Sequence, residues 1–548
     1  MKKKKYSRFP NMRERKPSHM TRTLLSAAAL AFAVSTSAMN PYLPLWEHIP
    51  DGEPYVFEDP DNPGKHRVYI FGSHDMLKWM YCGLDQVLWS APVDSLVQWR
   101  YDGVIFESKT DGNGNPLRDN GLGDVLFAPD IAERVLPDGK KEYWLFPNNQ
   151  AGGRNGMVAR ADRPDGPYTV TNFFSDRPTE SDGVLRFDPA VFVDDDGRVY
   201  GYWGFGKSYA AELDPKTMAT VKPGTEIVED LMTGFESEGN DRFFEASSIR
   251  KIKDKYVFIY SRMTAEGEFG LPRTNYTLAY AYSDNPLGPY TYGGTIIDGR
   301  GRDTDRDGKP METATTNGNT HGSIAEVNGK WYVFYHRQTG LDEYARQAMV
   351  APIEVRVEEG KGGKVYISEA EYTSEGFETD GLNPLRRYPA AIASHFTGPT
   401  RAYQAYPGMH YSGPYFEPAY VSDHNISNPY DEELNVNNVV NCTDGSILGY
   451  KYFNFDHLRG KDDAQLILSL TPQGIDGKIQ IYTSAPWKGN PEPIGEIEID
   501  KEMPQTPLQL AADVKGACGL TGKHPLYLTF SSEEKGKSMA TVTHLQFK

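Results

Sequence analysis

The sequence predicts an all-β protein that consists of a five-bladed β-propeller followed by a β-sandwich of the jelly-roll type. Two observations predict this fold class. The 548 residues are 12% aromatic and include 34 Tyr, 53 Gly and 38 Pro, a composition that favours short strands joined by tight turns over helical bundles. A hairpin with aromatic alternation also recurs five times along the chain, and such repetition is typical of propellers.

Each repeat pairs a first strand with a second strand that follows a Gly or Asp turn. The second strands read "HRVYIF", "KKEYWLF", "GRVYGYW", "DKYVFIYSR" and "GKWYVFYHR". The first strands open on ionisable residues, namely Asp51, Asp130, Asp188, Glu245 and His321. Because the first strand of a blade lines the central channel, we expect these side chains to converge at one mouth of that channel.

The order of segments predicts four regions along the chain. They are a signal peptide at 1–38, the propeller at 39–356, a connector at 357–397 and the sandwich at 398–548. The signal peptide is predicted from a basic stretch followed by the apolar run "TLLSAAALAFAVSTSA", with cleavage near Ala38. This run is short for a membrane span, and no other segment is apolar enough. We therefore expect export to the periplasm or the extracellular space.

The net charge of −17 and the isoelectric point near 5.3 argue against nucleic acid or an anionic membrane as the partner. A neutral substrate is unaffected by such a field. We expect a monomer that acts on a neutral substrate.

Five strings of the sequence resemble, in order and spacing, the blade motifs of glycoside hydrolase family 43. They are "RVYIFGSHD", "FAPDIA", "FDPAVFVDDDGRVYGYWG", "FFEASSIRK" and "NTHGSIAEVNGKWYVFYH". The resemblance covers about residues 40–355. It implies an inverting hydrolase with no required cofactor that acts on arabinose- and xylose-containing plant polysaccharides or oligosaccharides. The expected activity is that of an α-L-arabinofuranosidase or a β-xylosidase.

The resemblance also implies roles for three carboxylates. Asp51 matches the general base, but the family's Asp-Pro dipeptide is absent, and Glu53, which precedes Pro54, is a rival. Asp188 matches the residue that tunes the pKa of the acid, and Glu245 matches the general acid. Inverting cleavage needs a protonated carboxyl for the leaving oxygen and an ionised carboxylate that activates water on the opposite face of the sugar.

Further residues are implicated in sugar and cation binding. Asp130 resembles a position that shapes the sugar pocket, and His321 resembles a histidine on the channel axis beside a bound cation or water. The cation would be a structural calcium, which prefers oxygen ligands. Aromatic side chains at the mouth are expected to stack on a sugar ring, and Trp203 and Trp79 are the candidates.

The C-terminal strands resemble a family 6-like carbohydrate-binding module in "GSILGYKYFNF" and "GKHPLYLTFS". Two other functions remain open for the chain as a whole. One is a non-catalytic sugar-binding propeller, and the other is a different five-bladed glycosidase, such as a galactan- or fructan-cleaving enzyme. The loops between blades set the sugar, the linkage and exo or endo action, and a single sequence does not reveal them.

Overall fold

Strands make up nearly all of the regular structure in the computed structural model of the protein. The structure describes residues 39–77, 80–117, 123–150, 152–315, 318–340, 343–377, 379–399, 413–418 and 434–548. The predicted signal peptide lies outside these ranges. The helices within them are short 3₁₀ segments at Gly152–Arg154, Glu268–Gly270, Ala390–Ile392, Phe455–Leu458 and Ala517–Gly519. None of these helices is long and apolar enough to cross a membrane.

Five antiparallel sheets follow one another along the chain and form the predicted blades. Blade one contains β1 (Glu53–Glu58), β2 (His66–Phe71), β3 (Asp85–Pro92) and β4 (Arg100–Glu107). Blade two contains β5 (Asp130–Val135), β6 (Lys141–Phe146), β7 (Ala159–Ala161) and β8 (Thr169–Val170). Blade three contains β9 (Ala190–Val193), β10 (Val199–Trp203), β11 (Tyr209–Leu213) and β12 (Val228–Glu229).

The last two blades differ in their number of strands. Blade four contains β13 (Phe243–Ile252), β14 (Lys255–Arg262), β15 (Thr277–Ser283) and β16 (Thr291–Asp298). A hairpin of β17 (Arg302–Thr304) and β18 (Pro310–Glu312) precedes blade five. Blade five has three strands, β19 (Ser323–Val327), β20 (Lys330–Arg337) and β21 (Gln347–Ile353). A second hairpin follows, with β22 (Val355–Val357) and β23 (Val365–Ile367).

The second strand of each blade carries most of its apolar core. Strands β10 and β14 are buried along their whole length, because both faces of such a strand are covered by neighbouring blades. Side chains of adjacent blades share one core, as Phe57 and Tyr69 of blade one do with Tyr143 and Leu145 of blade two. This double burial explains why the second strands are the most conspicuous repeat in the sequence.

Hydrogen bonds between neighbouring first strands run around the propeller and close it. The pairs, in blade order, are Tyr55 with Asp130, Asp130 with Val191, Asp188 with Ala246, Ser248 with Ser323, and Gly52 with Gly322. The last pair is a parallel bridge that joins blade one to blade five. The polar residues at the heads of the first strands therefore hold the blades together as well as lining the channel.

The C-terminal strands form a sandwich of two antiparallel sheets. They are β24 (Tyr388–Pro389), β25 (His395–Thr397), β26 (Tyr415–Glu417), β27 (Asn438–Cys442), β28 (Ile447–Asn454), β29 (Gln465–Pro472), β30 (Gly477–Tyr482), β31 (Gly495–Ile499), β32 (Leu508–Asp513), β33 (Lys523–Ser531) and β34 (Ala540–Phe547). One sheet has the order β26-β27-β34-β29-β32 with β24 beside β34, and the other has the order β25-β28-β33-β30-β31. Strands β24 and β25 thus belong to the sandwich although they fall within the predicted connector.

The sandwich packs directly on the propeller. Nε1 of Trp487 donates to the carbonyl of Thr304 in the β17–β18 hairpin (2.8 Å). The buried guanidinium of Arg337 in blade five donates to the carbonyls of Ala391 and Ala393, at 2.6 and 3.0 Å. These buried polar contacts fix the position of blade five, which contributes two loops to the site described next.

Candidate active site

A cavity of about 420 Å³ lies at the mouth of the channel, where the first strands begin. Asp51, Asp188, Glu245 and His321 line it together, although they come from four different blades. We call these four residues the cavity layer. They are four of the five side chains that the sequence predicts to converge.

Unusual backbone conformations aim the three carboxylates at the cavity. Asp51 and Asp188 have φ values of 59° and 42°, and each lies two residues before its strand begins. Glu245 sits in a β-bulge of β13, where the register shifts on both sides of it, and the next residue, Ala246, has a φ of 68°. Positive φ is costly for residues with a Cβ, and such strain clusters at functional sites. Bulges similarly re-aim side chains beside active sites.

Asp51 is held as an ionised carboxylate. Nη1 of Arg346 donates to its Oδ1 (3.0 Å), and the hydroxyl of Ser73 donates to its Oδ2 (2.5 Å). Burial is the largest single influence and would raise the pKa of Asp51, but Arg346, His336, His321 and the hydrogen bond from Ser73 together bring the pKa below its usual value. Asp75 holds Arg346 in place with two hydrogen bonds of 2.8 and 2.9 Å.

Glu245 has the opposite environment. Its carboxyl has no hydrogen-bond or ion-pair partner among the residues that the structure describes, and its side chain is 9% exposed. Burial raises the pKa of Glu245 well above its usual value, and the negative charges of Asp188 and Asp51 raise it further. Glu245 therefore keeps its proton at a pH at which Asp51 has lost its own.

Asp188 interacts electrostatically with both Asp51 and Glu245. Nδ2 of Asn148 donates to its Oδ1 (3.0 Å), and the backbone N–H of Ala246 donates to its Oδ2 (3.2 Å). Burial raises the pKa of Asp188 to about 7, and the charge of Asp51 contributes in the same direction. The hydrogen bond from Ala246 therefore connects the bulge that contains Glu245 to Asp188, the residue whose charge raises the pKa of Glu245.

Glu53, the rival of Asp51, does not line the cavity. It is the first residue of β1, two residues further along the channel, and its Oε2 accepts from Nη2 of Arg250 (2.8 Å) and from the hydroxyl of Ser248 (3.2 Å). Burial raises the pKa of Glu53 to about 7, against the opposing charge of Arg250. Glu53 is thus a paired, enclosed carboxyl with no open side toward the cavity.

Asp130 is not brought to the cavity either, and the register of its blade explains why. Asp130 is the first residue of β5 and pairs with Phe146, as Glu53 is the first residue of β1 and pairs with Phe71. Its carboxylate accepts from Tyr55 (2.7 Å) and from the backbone N–H of Val191 (2.6 Å). In blade two the cavity is lined instead by Ala128, two residues earlier.

Glu53, Asp130, Ser248 and Ser323 thus form a second level of the channel, which we call the buried layer. Arg250 crosses it and donates to six oxygen atoms, belonging to Glu53, Pro54, Tyr55, Ser248, Ile249 and Ile324. Such saturation of a buried charge is typical of a structural network.

His321 connects the two layers. Its Nδ1 lies 3.7 Å from Oδ2 of Asp188, and its Nε2 lies 3.9 Å from Oε1 of Glu53. Both Nε2 of His321 and Oε1 of Glu53 are buried and lack a hydrogen-bond partner among the described residues. Burial lowers the pKa of His321 to about 4, so the imidazole is neutral, and the ring nitrogen that carries no proton can accept a hydrogen bond from water or bind a cation.

Calcium needs more ligands than these two atoms. Calcium takes six to eight oxygen ligands, and the described residues contain no cluster of three or more His, Cys, Asp or Glu side chains arranged to hold a metal ion. The residues at the axis therefore do not supply a calcium site by themselves.

The predicted tryptophan platform is not at the cavity. Trp203 ends β10 and is buried against Tyr209, with ring centroids 5.7 Å apart and an interplanar angle of 14°. Trp79 lies outside the described residues. Phenylalanines line the cavity instead, at Phe127, Phe187, Phe205 and Phe244.

Sequence reasoning also leaves out Arg346 and the residues that accompany it. Arg346 comes from the loop before β21, and in the sequence it lies 295 residues from Asp51. Arg346 follows no repeat motif, and its role depends on the closure of blade five against blade one. The repeat motifs place three carboxyls in one cavity, and none of the positively charged residues in these motifs lines that cavity to balance them. That imbalance is the one sign in the sequence that an arginine from elsewhere enters the site.

Comparison with known proteins extends over both parts of the chain. The model of "Glycosyl hydrolases family 43" matches residues 88–359. A xylosidase/arabinosidase of Thermoclostridium stercorarium is 34% identical over 510 residues, which are 90% of this chain and 95% of that protein. An arabinoxylan arabinofuranohydrolase of Paenibacillus polymyxa is 26% identical over 526 residues, 90% of this chain and 72% of that protein.

Among solved structures, an arabinoxylan arabinofuranohydrolase of Bacillus subtilis in complex with cellotetraose is similar over 94% of this chain and 98% of its own. Its sequence identity is 20% and its TM-score is 0.45.

Proposed function

Since the chain belongs to glycosyl hydrolases family 43, we propose that it is the glycosidase that releases arabinose or xylose from plant cell-wall polysaccharides or their oligosaccharides. The observation that carries this proposal is the cavity layer. Three carboxyls from three blades line one cavity, and the pKa of Asp51 is lowered while that of Glu245 is raised. These opposite shifts match the two protonation states that inverting cleavage needs.

In this mechanism Glu245 is the general acid and Asp51 is the general base. Glu245 donates its proton to the leaving glycosidic oxygen as the bond to the anomeric carbon breaks. Asp51 accepts a proton from a water molecule, and the oxygen of that water bonds to the anomeric carbon from the opposite face. Inverting enzymes hold the two carboxyls about 6.5–9.5 Å apart to leave space for this water. Asp51 and Glu245 come from blades one and four and line the same cavity.

Asp188 acts on the reaction through Glu245. Its negative charge raises the pKa of Glu245 beyond the effect of burial, which keeps the acid protonated. Its oxygen atoms also accept hydrogen bonds from Asn148 and Ala246, so the charge is fixed in position before substrate binds.

The relatives support the choice of sugar. Their names refer to xylosidase, arabinosidase and arabinoxylan arabinofuranohydrolase activities, and the first relative aligns over 95% of its own length. A neutral pentose also suits a strongly anionic protein, because it is not repelled by the net charge of −17.

Three further expectations belong to this proposal. The basic and apolar segments before residue 39 favour export, where plant polysaccharide is met. Nε2 of His321 would bind an axial water, or a calcium ion that takes most of its ligands from water. The sandwich braces the propeller, since Trp487, the only tryptophan after residue 398, packs on His395 and Tyr527 and bonds to Thr304.

A panel of aryl glycosides tests the function. We expect hydrolysis of α-L-arabinofuranoside or β-D-xyloside and little hydrolysis of galactoside or fructoside. Proton NMR of the first turnovers should show release of the sugar with the opposite anomeric configuration. Retention would contradict the inverting mechanism, and binding of oligosaccharide without any turnover would favour the non-catalytic propeller.

A further inference from the structure

Four phenylalanines form one wall of the cavity mouth, which we call the phenylalanine wall. They are Phe187, Phe205, Phe235 and Phe244, and all except Phe235 line the cavity. The ring centroid of Phe205 lies 5.1 Å from that of Phe187 and 5.2 Å from that of Phe244, and Phe244 lies 5.4 Å from Phe235. The tilted and edge-to-face arrangements are those that aromatic clusters favour.

Phe205 is the exposed member of this wall. Its side chain is 52% exposed, and among the large hydrophobic residues with comparable exposure in the described ranges it is the one that lines the cavity. A single exposed apolar side chain needs no explanation, but an apolar patch at the edge of a polar cavity marks a binding surface.

The loop that carries Phe205 is held on both sides. The backbone N–H of Gly204 donates to the carbonyl of Phe187 (3.0 Å), and that of Gly206 donates to the carbonyl of Phe244 (2.7 Å). Gly206 has a φ of 67°, and a Cβ there would lie 2.7 Å from the ring of Phe235. Phe205 is therefore presented by a fixed turn, and little ordering would be needed when a ligand packs on it.

The phenylalanine wall lies next to the proposed general acid, Glu245. Phe187 and Phe244 directly precede Asp188 and Glu245 in the chain, so the wall adjoins the residue that protonates the leaving oxygen. Because Phe205, Phe244 and Glu245 line the same cavity, an aromatic surface lies next to the residue that would protonate the leaving oxygen.

We propose that the phenylalanine wall, through Phe205, binds the sugar ring on the leaving-group side of the scissile bond. The ligand is the neighbouring neutral pentose of the same oligosaccharide, whose C–H face packs on the ring of Phe205. This inference rests on the proposed function and on Glu245 as the acid. Binding energy from this remote ring would favour the reaction of oligosaccharides over simple glycosides.

Two substrates with the same reacting sugar test the proposal. One is an arabinoxylan-derived oligosaccharide that the wild-type protein cleaves, and the other is the glycosyl fluoride of the released sugar, whose leaving group has no ring. Phe205→Ala should lower kcat/KM about tenfold or more for the oligosaccharide and leave that for the fluoride within about twofold. Phe205→Tyr should restore the oligosaccharide value.

Val104→Ala is the matched control, because Val104 is 47% exposed on β4 and does not line the cavity. It should change neither substrate. Equal losses of Phe205→Ala on both substrates, or no loss on the oligosaccharide, would overturn the proposal. If the wild-type protein cleaves neither substrate, the proposed function fails and this inference falls with it, so the two failures are distinguishable.

Discussion

The cavity layer and the buried layer lie at successive depths of the channel and both contain acidic side chains, yet their environments differ. In the cavity layer, Glu245 has no partner among the described residues and Asp51 faces the cavity beside a single arginine. In the buried layer, Glu53 accepts from Arg250 and Ser248 through Oε2, and Asp130 accepts from Tyr55 and the backbone N–H of Val191.

The two layers show how catalytic carboxyls can be told from structural ones in an acidic channel. All the carboxyls are buried, so burial alone does not identify a catalytic group. What distinguishes the cavity layer is that its carboxyls face open volume and that Asp51, Asp188 and Ala246 have positive φ values.

The largest effect is expected at Glu245. Glu245→Gln removes the proton donor, and kcat on an oligosaccharide should fall by about a thousandfold or more. A glycosyl fluoride needs no protonation of its leaving group, so its turnover should fall by less than about tenfold. Steady-state kinetics on both substrates measures this difference. Glu326→Gln on the exposed edge of β19 is the control, and comparable losses on both substrates would contradict the assignment.

A smaller effect is expected when the charge of Asp188 is removed. In the wild type, kcat/KM should fall as pH drops through the lowered pKa of Asp51, since the base must be ionised. It should also fall as pH rises through the raised pKa of Glu245, since the acid must be protonated. Asp188→Asn removes a negative charge that raises the pKa of Glu245, so the alkaline limb should move to lower pH by about one unit.

The pH profile of kcat/KM for Asp188→Asn checks this prediction. An alkaline limb that stays in place or moves to higher pH would show that Asp188 does not tune Glu245.

The smallest effect on catalysis, and the largest on stability, is expected in the buried layer. Glu53→Gln removes the carboxylate that is ion-paired directly with Arg250, which should lower the free energy of unfolding by about 2 kcal/mol. Glu245 is already neutral and has no hydrogen-bond partner among the described residues, so Glu245→Gln should change the free energy of unfolding by less than about 1 kcal/mol. Urea unfolding of both variants gives the comparison, and a reversed order would break the distinction between the layers.

Much of the fold follows from the sequence because the second strands are buried on both faces and repeat visibly. Asp188 and Glu245 are predicted because their motifs lie directly at the strand that presents them. The choice between Asp51 and Glu53 does not follow, since residues two apart in a strand face the same side and a sequence pattern does not report depth along the channel.

The same physical limit explains the other differences. In the sequence repeat, Asp130 occupies the same position as the residues of the cavity layer. However, β5 begins at Asp130, whereas β1 begins two residues after Asp51. Asp130 therefore lies in the buried layer. Trp203 is the more obvious sugar platform, yet it still belongs to β10 and faces the core. Phe205, two residues beyond the strand, reaches the mouth. The position of each residue along the channel depends on how the five blades pack together, so it is seen only in the folded structure.

The most direct test of the two-layer account is the kcat of Asp51→Asn and of Glu53→Gln, measured side by side on one arabinofuranoside or xyloside at the pH optimum of the wild type. We predict that Asp51→Asn loses about a thousandfold or more in kcat while Glu53→Gln stays within about fivefold of the wild type. A folded Asp51→Asn variant that retains turnover, beside a folded Glu53→Gln variant that loses it, would contradict the account.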